Sequence, residues 1–142
     1  MRNERQHILI VDETAVVEGL GKSLHEEQGW NVSYLDSTIN ARDISQQAAK
    51  IPYTALLVEP YLFVMDSPEM RFRGVLESLV EQTRAKKVPI IALTSQNEED
   101  LERSYRIERG KHYDVYLQKP ETSERIIQVF QALFNPAARG TQ

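Results

Sequence analysis

The sequence predicts an α/β fold in which helices cover both faces of a five-stranded parallel sheet. First, short apolar runs alternate with segments of helical period along the 142 residues. Second, several of these runs are continuously apolar, as strands buried on both faces are. Third, 41% hydrophobic and 27% charged residues suit one globular domain of this length. We expect its core to cover about residues 6–135 and residues 136–142 to form a tail.

Five segments have the length and composition of strands. The first, HILIVD, is rich in β-branched residues, and the second alternates apolar and polar residues. The third and fourth are nearly continuous apolar runs, and the fifth mixes β-branched with aromatic residues. In chain order, the predicted strands cover His7–Asp12, Asn31–Asp36, 54–59, 88–94 and 113–118.

The segments between the strands are predicted as helices. In the first, Val16, Leu20 and Leu24 recur at every fourth position, and Gly29 stands where a helix C-cap is expected. The fourth is weakly apolar, and its mixed charge is typical of a solvated helix face. The second, third and fourth helices are predicted over residues 39–50, 70–85 and 97–109.

The fifth predicted helix carries the strongest apolar stripe. Thr122 or Ser123 can cap its first turn, and the stripe runs to Phe134 before Asn135-Pro136 ends the helix. Strands and helices therefore alternate through the whole chain. Such a chain forms right-handed crossovers and a doubly wound sheet.

Composition excludes several classes of function. The chain has no cysteine, which excludes disulfides, thiol nucleophiles and thiolate metal sites. Its histidines (His7, His25 and His112) lack the spacing of a metal motif. With 17 basic and 21 acidic residues, the chain has a net charge of −4 and lacks the overall positive charge that is typical of nucleic-acid-binding proteins. No apolar stretch is long enough to cross a bilayer, so we expect a cytoplasmic protein without a membrane partner.

Polar residues follow four of the predicted strands at the point where each strand ends. Because the carboxyl ends of parallel strands share one edge of the sheet, these side chains should converge there. Clustered acids suit a hard cation such as Mg²⁺, whereas a hydroxyl and a lysine suit a phosphoryl group. The residues are Asp12 and Glu13, Glu59, Thr94 and Ser95, and Lys119 with Pro120.

These strand-end motifs resemble the receiver domain of two-component response regulators, of which the chemotaxis receiver is the simplest form. The motifs are Asp12-Glu13 after ILIV, Glu59 after LLV, Thr94-Ser95 after IIAL, and QKP at 118–120 after VYL. The resemblance covers about residues 6–135. It implies a flavodoxin-like (βα)₅ fold with strand order 2-1-3-4-5.

The resemblance also implies a role for each residue at this edge. Asp12 and Glu13, with Glu59, would hold Mg²⁺. Glu59 stands at the phosphoacceptor position, and Thr94 and Lys119 would contact the phosphoryl group.

Further residues are assigned by the same resemblance. Ser95 and Tyr116 would take part in switching, and Pro120 is the candidate for a cis peptide bond. A row of Tyr105, Tyr113 and Tyr116 would contribute to a contact face built from the fourth helix, the fifth strand and the fifth helix. Through this face the chain could also form a homodimer.

Glu59 is the main departure from the family, which has aspartate at this position. Its carboxylate would lie one methylene further out, near Thr94 and Lys119, where it could partly imitate a phosphoryl group. The imitation is partial because a carboxylate carries one charge rather than about two. Pro60 follows directly and puts Tyr61 where a metal-binding carbonyl is expected, while the family's short turn is displaced to residues 65–70.

Three functions remain in competition on the sequence. The first is a pseudo-receiver that needs no cofactor and acts by contact with a sensor kinase or a downstream signalling protein. The second is a working receiver that accepts phosphate with Mg²⁺ bound. The third is a flavin-type small-molecule module, which the acidic loop after the first strand disfavours. Neither a phosphate-binding glycine loop nor a GxSxG elbow is present, so we do not expect an enzyme beyond slow self-phosphorylation.

Overall fold

The computed structural model describes residues 6–36, 43–64 and 72–135, and for residues 14–18 the backbone alone. Five parallel strands form one sheet in the order β2-β1-β3-β4-β5, as predicted. This is the doubly wound α/β architecture expected from alternating strands and helices. The strands are β1 (His7–Asp12), β2 (Asn31–Asp36), β3 (Ala55–Val58), β4 (Ile90–Thr94) and β5 (Val115–Gln118).

Five α-helices connect and follow the strands. The predicted end of the first helix is confirmed, because Gly29 adopts φ 71° and its N–H bonds to the His25 carbonyl. Thr122 caps the fifth helix by accepting a hydrogen bond from the Arg125 N–H. The helices are α1 (Thr14–Gln28), α2 (Ile44–Ala48), α3 (Arg73–Ala85), α4 (Glu98–Tyr105) and α5 (Ser123–Phe134).

The fourth helix is shorter than the predicted 97–109. It ends where Arg106 adopts a left-handed φ of 56°, and the Ile107 N–H then bonds to the Leu101 carbonyl. Ile107 is completely buried, so burial of this apolar side chain turns the chain inward and stops the helix. Helix α2 ends before residue 50, and residues 39–42 and 70–71 of the predicted second and third helices lie outside the described residues.

Alternate residues of the strands point to opposite faces of the sheet and build two separate cores. Leu9 and Val11 of β1 belong to the core under α2, α3 and α4. Ile8 and Ile10 belong to the core under α1 and α5, where Trp30 meets the Phe130 ring edge-on at 6.0 Å. The sheet is therefore held from both sides, which fixes the positions of its strand ends.

The third strand stops at Val58, one residue before the predicted end. Glu59 leaves the sheet and begins a 3₁₀ helix over Pro60–Phe63, in which proline takes the first position. The fourth strand begins at Ile90 and the fifth at Val115, each two residues later than predicted. No helix in the described part of the chain is long and apolar enough to cross a membrane.

Candidate functional site

Four polar side chains meet at the carboxyl edge of the sheet, and we call them the edge site: Asp12, Glu59, Thr94 and Lys119. Asp12 and Thr94 are the last residues of β1 and β4, and Glu59 and Lys119 directly follow β3 and β5. The prediction that these residues converge is confirmed. Asp12 is 2% exposed, Glu59 3% and Thr94 0%, so the site is almost closed to solvent.

Lys119 supplies the positive charge of the edge site. Its Nζ lies 2.9 Å from Asp12 Oδ2 and 3.4 Å from Glu59 Oε1. The Lys119 backbone N–H donates to the Thr94 carbonyl over 2.7 Å, which ties the end of β5 to β4. The Lys119–Pro120 peptide bond is cis, as predicted. One ammonium therefore contacts two buried carboxylates at once.

The two oxygens of the Glu59 carboxylate bond to two different loops. Oε1 accepts from the Ser95 N–H at 3.4 Å, and Oε2 accepts from the Tyr61 N–H at 3.3 Å. The Thr94 hydroxyl opposes the rise in the pKa of the same carboxylate and accepts a hydrogen bond from the Gln96 N–H at 3.1 Å. Glu59 thus joins the loop after β3 to the loop after β4.

The edge site contains two acidic side chains and one basic side chain. Burial raises the pKa of both Asp12 and Glu59, although the contacts with Lys119 oppose that rise. Burial works against the Lys119 ammonium, but its contacts with Asp12 and Glu59 outweigh burial and raise its pKa. With both acids ionised the site carries one net negative charge.

Several solved structures share this architecture. The receiver domain of sensor histidine kinase PA1611 from Pseudomonas aeruginosa PAO1, with a magnesium ion coordinated in its active site cleft, is 23% identical with a TM-score of 0.62. That alignment covers 90% of this chain and 96% of the other. The receiver domain of an HD domain-containing protein from Pseudomonas fluorescens Pf-5 is 19% identical with a TM-score of 0.68, over 100% and 96% of the two chains. The chain has a receiver-domain fold.

A receiver domain protein of the CheY-like type from Methanospirillum hungatei JF-1 gives the same result. It is 18% identical with a TM-score of 0.63, over 96% of this chain and 99% of the other. No family model matches the sequence, and no curated protein does either. At these identities the likeness is one of fold, so the function is argued from the site itself.

The residues predicted to bind magnesium make other contacts in this structure. Within residues 6–36, 43–64 and 72–135, no group of three or more acidic or histidine side chains is placed to hold a metal. Glu13, predicted as a ligand, is exposed, and its backbone N–H bonds to Asp12 Oδ1 at 2.7 Å. The Tyr61 carbonyl accepts the Val64 N–H at 3.0 Å within the 3₁₀ helix. Lys119 contacts the two carboxylates that were expected to bind the metal.

The two predicted switch residues lie on the loop after β4 and on β5. Ser95 contributes its backbone N–H to Glu59, as described above. Tyr116 is half-buried, and its hydroxyl donates to the Gln96 carbonyl at 2.6 Å. Burial raises the pKa of this phenol. The ring of Tyr116 is therefore tied to the loop that also holds the Glu59 carboxylate.

The predicted row of exposed tyrosines needs one correction. Tyr113 is 1% exposed, and its hydroxyl donates to Glu98 Oε2 at 2.6 Å, so it is a core residue rather than part of a contact face. Tyr113 lies before β5 and forms an isolated β-bridge with Arg109. Tyr105 and Tyr116 are half-buried and pack against the same core.

The structure adds Tyr61 to the surroundings of the site, which sequence reasoning considered only for its carbonyl. Its ring meets the Tyr105 ring at 5.3 Å with an interplanar angle of 70°. Arg73, at the start of α3, donates to the Tyr105 carbonyl and, at 2.6 Å, to the Arg106 carbonyl. No spacing in the sequence signals either contact, because both depend on where α4 ends. The predicted turn at 65–70 lies outside the described residues.

Proposed function

We propose that the chain is a receiver module of two-component signalling in which the Glu59 carboxylate takes the place of a phosphoryl group. One observation carries the proposal: this carboxylate already contacts the Lys119 ammonium and the Ser95 N–H, and the Thr94 hydroxyl favours its charged form. These are a cation, a backbone donor and a hydroxyl, the groups that stabilise phosphoryl oxygens. Their donor capacity is used by a side chain of the protein itself.

Such a module acts through protein contacts rather than through turnover of a substrate. Its partner would be a sensor kinase or a downstream signalling protein. Tyr105 on α4 and Tyr116 on β5 are half-buried and so remain partly exposed, and tyrosines are favoured at interfaces. A homodimer through α4, β5 and α5 belongs to the same proposal.

The first experiment measures covalent phosphate. The purified chain is incubated with a small-molecule phosphodonor and Mg²⁺ and examined by intact-mass spectrometry. We expect no phosphoryl adduct on the natural chain, because the Glu59 carboxylate lies where the incoming phosphoryl group would have to bind. The matched variant Glu59→Asp shortens the acid by one methylene, frees those donors and should gain an adduct. An adduct that maps to Glu59 in the natural chain would overturn the proposal.

The second candidate is a working, Mg²⁺-dependent receiver. It is favoured by the retention of the buried pair of Asp12 and Lys119, 2.9 Å apart, for which a pure scaffold has no chemical need. The P. aeruginosa receiver domain with magnesium in its cleft shows that this fold can hold the ion.

Amide NMR distinguishes the two candidates. Mg²⁺ is titrated into labelled protein, followed by beryllofluoride as an acyl-phosphate analogue. A working receiver would shift the amides of residues 12–13 and 59–61 with Mg²⁺ and those of 94–95 and 116–119 with beryllofluoride. The proposal expects neither set to move at millimolar Mg²⁺, while Glu59→Asp regains both responses.

A further inference from the structure

A buried histidine, His112, lies in the turn that residues 108–112 form between α4 and β5, and it is 3% exposed. Its Nδ1 lies 3.0 Å from the Glu108 backbone nitrogen. Because a backbone N–H can only donate, Nδ1 accepts this hydrogen bond and carries no proton. The proton is therefore on Nε2, which donates to Glu77 Oε2 over 3.1 Å. His112 is thus neutral in this arrangement.

Two hydrogen bonds join His112 to Glu108 and close the 108–112 turn. The His112 backbone N–H donates to the Glu108 carbonyl over 2.8 Å, and its Nδ1 accepts from the Glu108 N–H. Ile107 and Tyr113 flank the turn and are 0% and 1% exposed, so both of its ends are fixed by burial. A proton on Nδ1 would place two donors against each other and break the bond to the Glu108 N–H.

The turn and α3 hold the two ends of α4. Glu98, the first residue of α4, accepts from Arg109 Nε and Nη2, each at 2.8 Å, and from the Tyr113 hydroxyl at 2.6 Å. At the other end, Arg73 of α3 donates to the carbonyls of residues 105 and 106. The position of α4 therefore depends on the turn at its start and on α3 at its end.

Glu77 connects His112 to the attachment at the end of α4. Its Oε2 lies 3.1 Å from His112 Nε2 and 3.3 Å from Arg73 Nε. The hydrogen bond from His112 holds the pKa of Glu77 below its ordinary value, and Arg73 acts in the same direction against partial burial. An ionised carboxylate at Nε2 favours a charged ring, whereas the Glu108 N–H at Nδ1 favours the neutral ring. Two different elements thus stabilise the two states of the imidazole.

Other charged side chains on these elements act more weakly on the ring. Glu81 and Lys111 are exposed, so water and salt screen their charges. Arg84 and Arg109 are already paired, with Asp114 at 2.6 Å and with Glu98 at 2.8 Å. Glu77 is the charged group in contact with the ring. The side chains on α3 and the turn are Arg73, Glu77, Glu81, Arg84, Glu108, Arg109 and Lys111.

Imidazole is the side chain whose charge ordinarily changes within the physiological pH range. A second proton can enter His112 only at Nδ1, because Nε2 already carries one. We propose that His112 is a pH-sensitive switch that holds α4: protonation at Nδ1 breaks its bond to Glu108 and releases the turn that binds Glu98. The charged ring also competes with Arg73 for Glu77, which weakens the attachment at the end of α4.

NMR of the full ¹⁵N-labelled chain tests this switch. At about pH 8 the ring nitrogens should report a neutral His112 with its proton on Nε2. As the pH is lowered to about 5, the amides of residues 98 and 105–109 should shift together with the ring resonances. A proton on Nδ1 at the higher pH would overturn the proposal. So would a ring that titrates while these amides stay in place.

Two variants assign the shifts to this ring. His112→Gln removes the titrating group, so the shifts at 98 and 105–109 should disappear, and their persistence would overturn the proposal. Glu77→Gln removes the charge that stabilises the protonated ring, so the midpoint should move to lower pH. Glu81→Gln, one helical turn further along α3 and exposed, should leave the midpoint unchanged. Equal midpoints in the two glutamine variants at 77 and 81 would also contradict the proposal.

His25 provides the matched histidine control. Its Nδ1 lies 2.9 Å from the Trp30 carbonyl, which can only accept, so this nitrogen already carries a proton. Protonation of the other nitrogen leaves that hydrogen bond intact. His25→Gln should therefore preserve the shifts at 98 and 105–109, and their loss would refute the assignment to His112. None of these outcomes depends on Glu59, so a failure here leaves the proposed function standing.

Discussion

Replacement of Lys119 by methionine removes the ammonium from between two buried carboxylates and should destabilise the fold markedly. Its Nζ contacts lie at 2.9 Å and 3.4 Å. At an effective dielectric constant of about 20, each contact is worth about 5 kcal/mol before desolvation is counted. Burial of the ammonium offsets much of this, and breaking a buried ion pair costs about 3–5 kcal/mol in measured cases. Because 23% of the Lys119 side chain is exposed, we expect a loss of about 3 kcal/mol.

The loss should depend on pH in a definite direction. Burial raises the pKa of Asp12 and Glu59, so these carboxyls hold protons more readily in the folded chain than in the unfolded chain. Their contribution to stability is therefore complete below the unfolded pKa values and declines as the pH rises through the folded ones. Without Lys119 both folded values rise further. The loss of unfolding free energy caused by Lys119→Met should therefore be larger at pH 8 than at mildly acidic pH.

Urea unfolding followed by tryptophan fluorescence measures this loss. Trp30 is the only tryptophan in the sequence, is 9% exposed and packs edge-on to Phe130 and Phe134, so its emission reports unfolding of the α1–α5 core. The exposed Lys50→Met serves as the control and should change stability by less than about 0.5 kcal/mol. A loss below about 1 kcal/mol, or one that does not vary with pH, would refute the electrostatic account of the edge site.

Substitutions at three further positions test the local structure, each by urea unfolding. Gly29→Ala should lower the free energy of unfolding by about 1 kcal/mol, because the backbone φ of 71° is unfavourable for alanine. The added methyl group would meet no atom within 4 Å, so the cost comes from the backbone alone. An unchanged urea midpoint would contradict the left-handed cap. Tyr113→Phe should cost about 1–2 kcal/mol through loss of the hydroxyl bond to Glu98, and a neutral result would mean that the phenol is satisfied elsewhere. Thr122→Ala should cost about 1 kcal/mol and Thr122→Ser little, since the hydroxyl caps the Arg125 N–H; equal losses would exclude the cap.

The sequence was sufficient to predict the sheet and the convergence of the edge site. Continuous apolar runs identify strands buried on both faces, and a parallel sheet necessarily brings its strand ends to one edge. The resemblance to receiver domains added the strand order, which brings Glu59 near Lys119. Sequence reasoning did not predict the end of α4, because Arg106 adopts a left-handed conformation that usually signals glycine.

Two side-chain placements also lay beyond the sequence. The resemblance assigned Tyr113 to a contact face, yet its ring lies in the core under α3 and α4. The ion pair of Arg84 Nη1 with Asp114 Oδ1 at 2.6 Å carries no sequence signal, because the two residues are 30 positions apart. Both outcomes depend on tertiary packing rather than on local pattern.

The covalent attachment of the Glu59 carboxylate to the chain has a consequence for timing. A phosphoryl group on a side chain is lost by hydrolysis, so a receiver that depends on it has a memory as long as that bond survives. A carboxylate held by the Ser95 N–H and Lys119 has no such lifetime, and no phosphatase can remove it. Under the proposed function, the strength of the signal would follow the number of copies of the chain, and its duration would follow their synthesis and degradation.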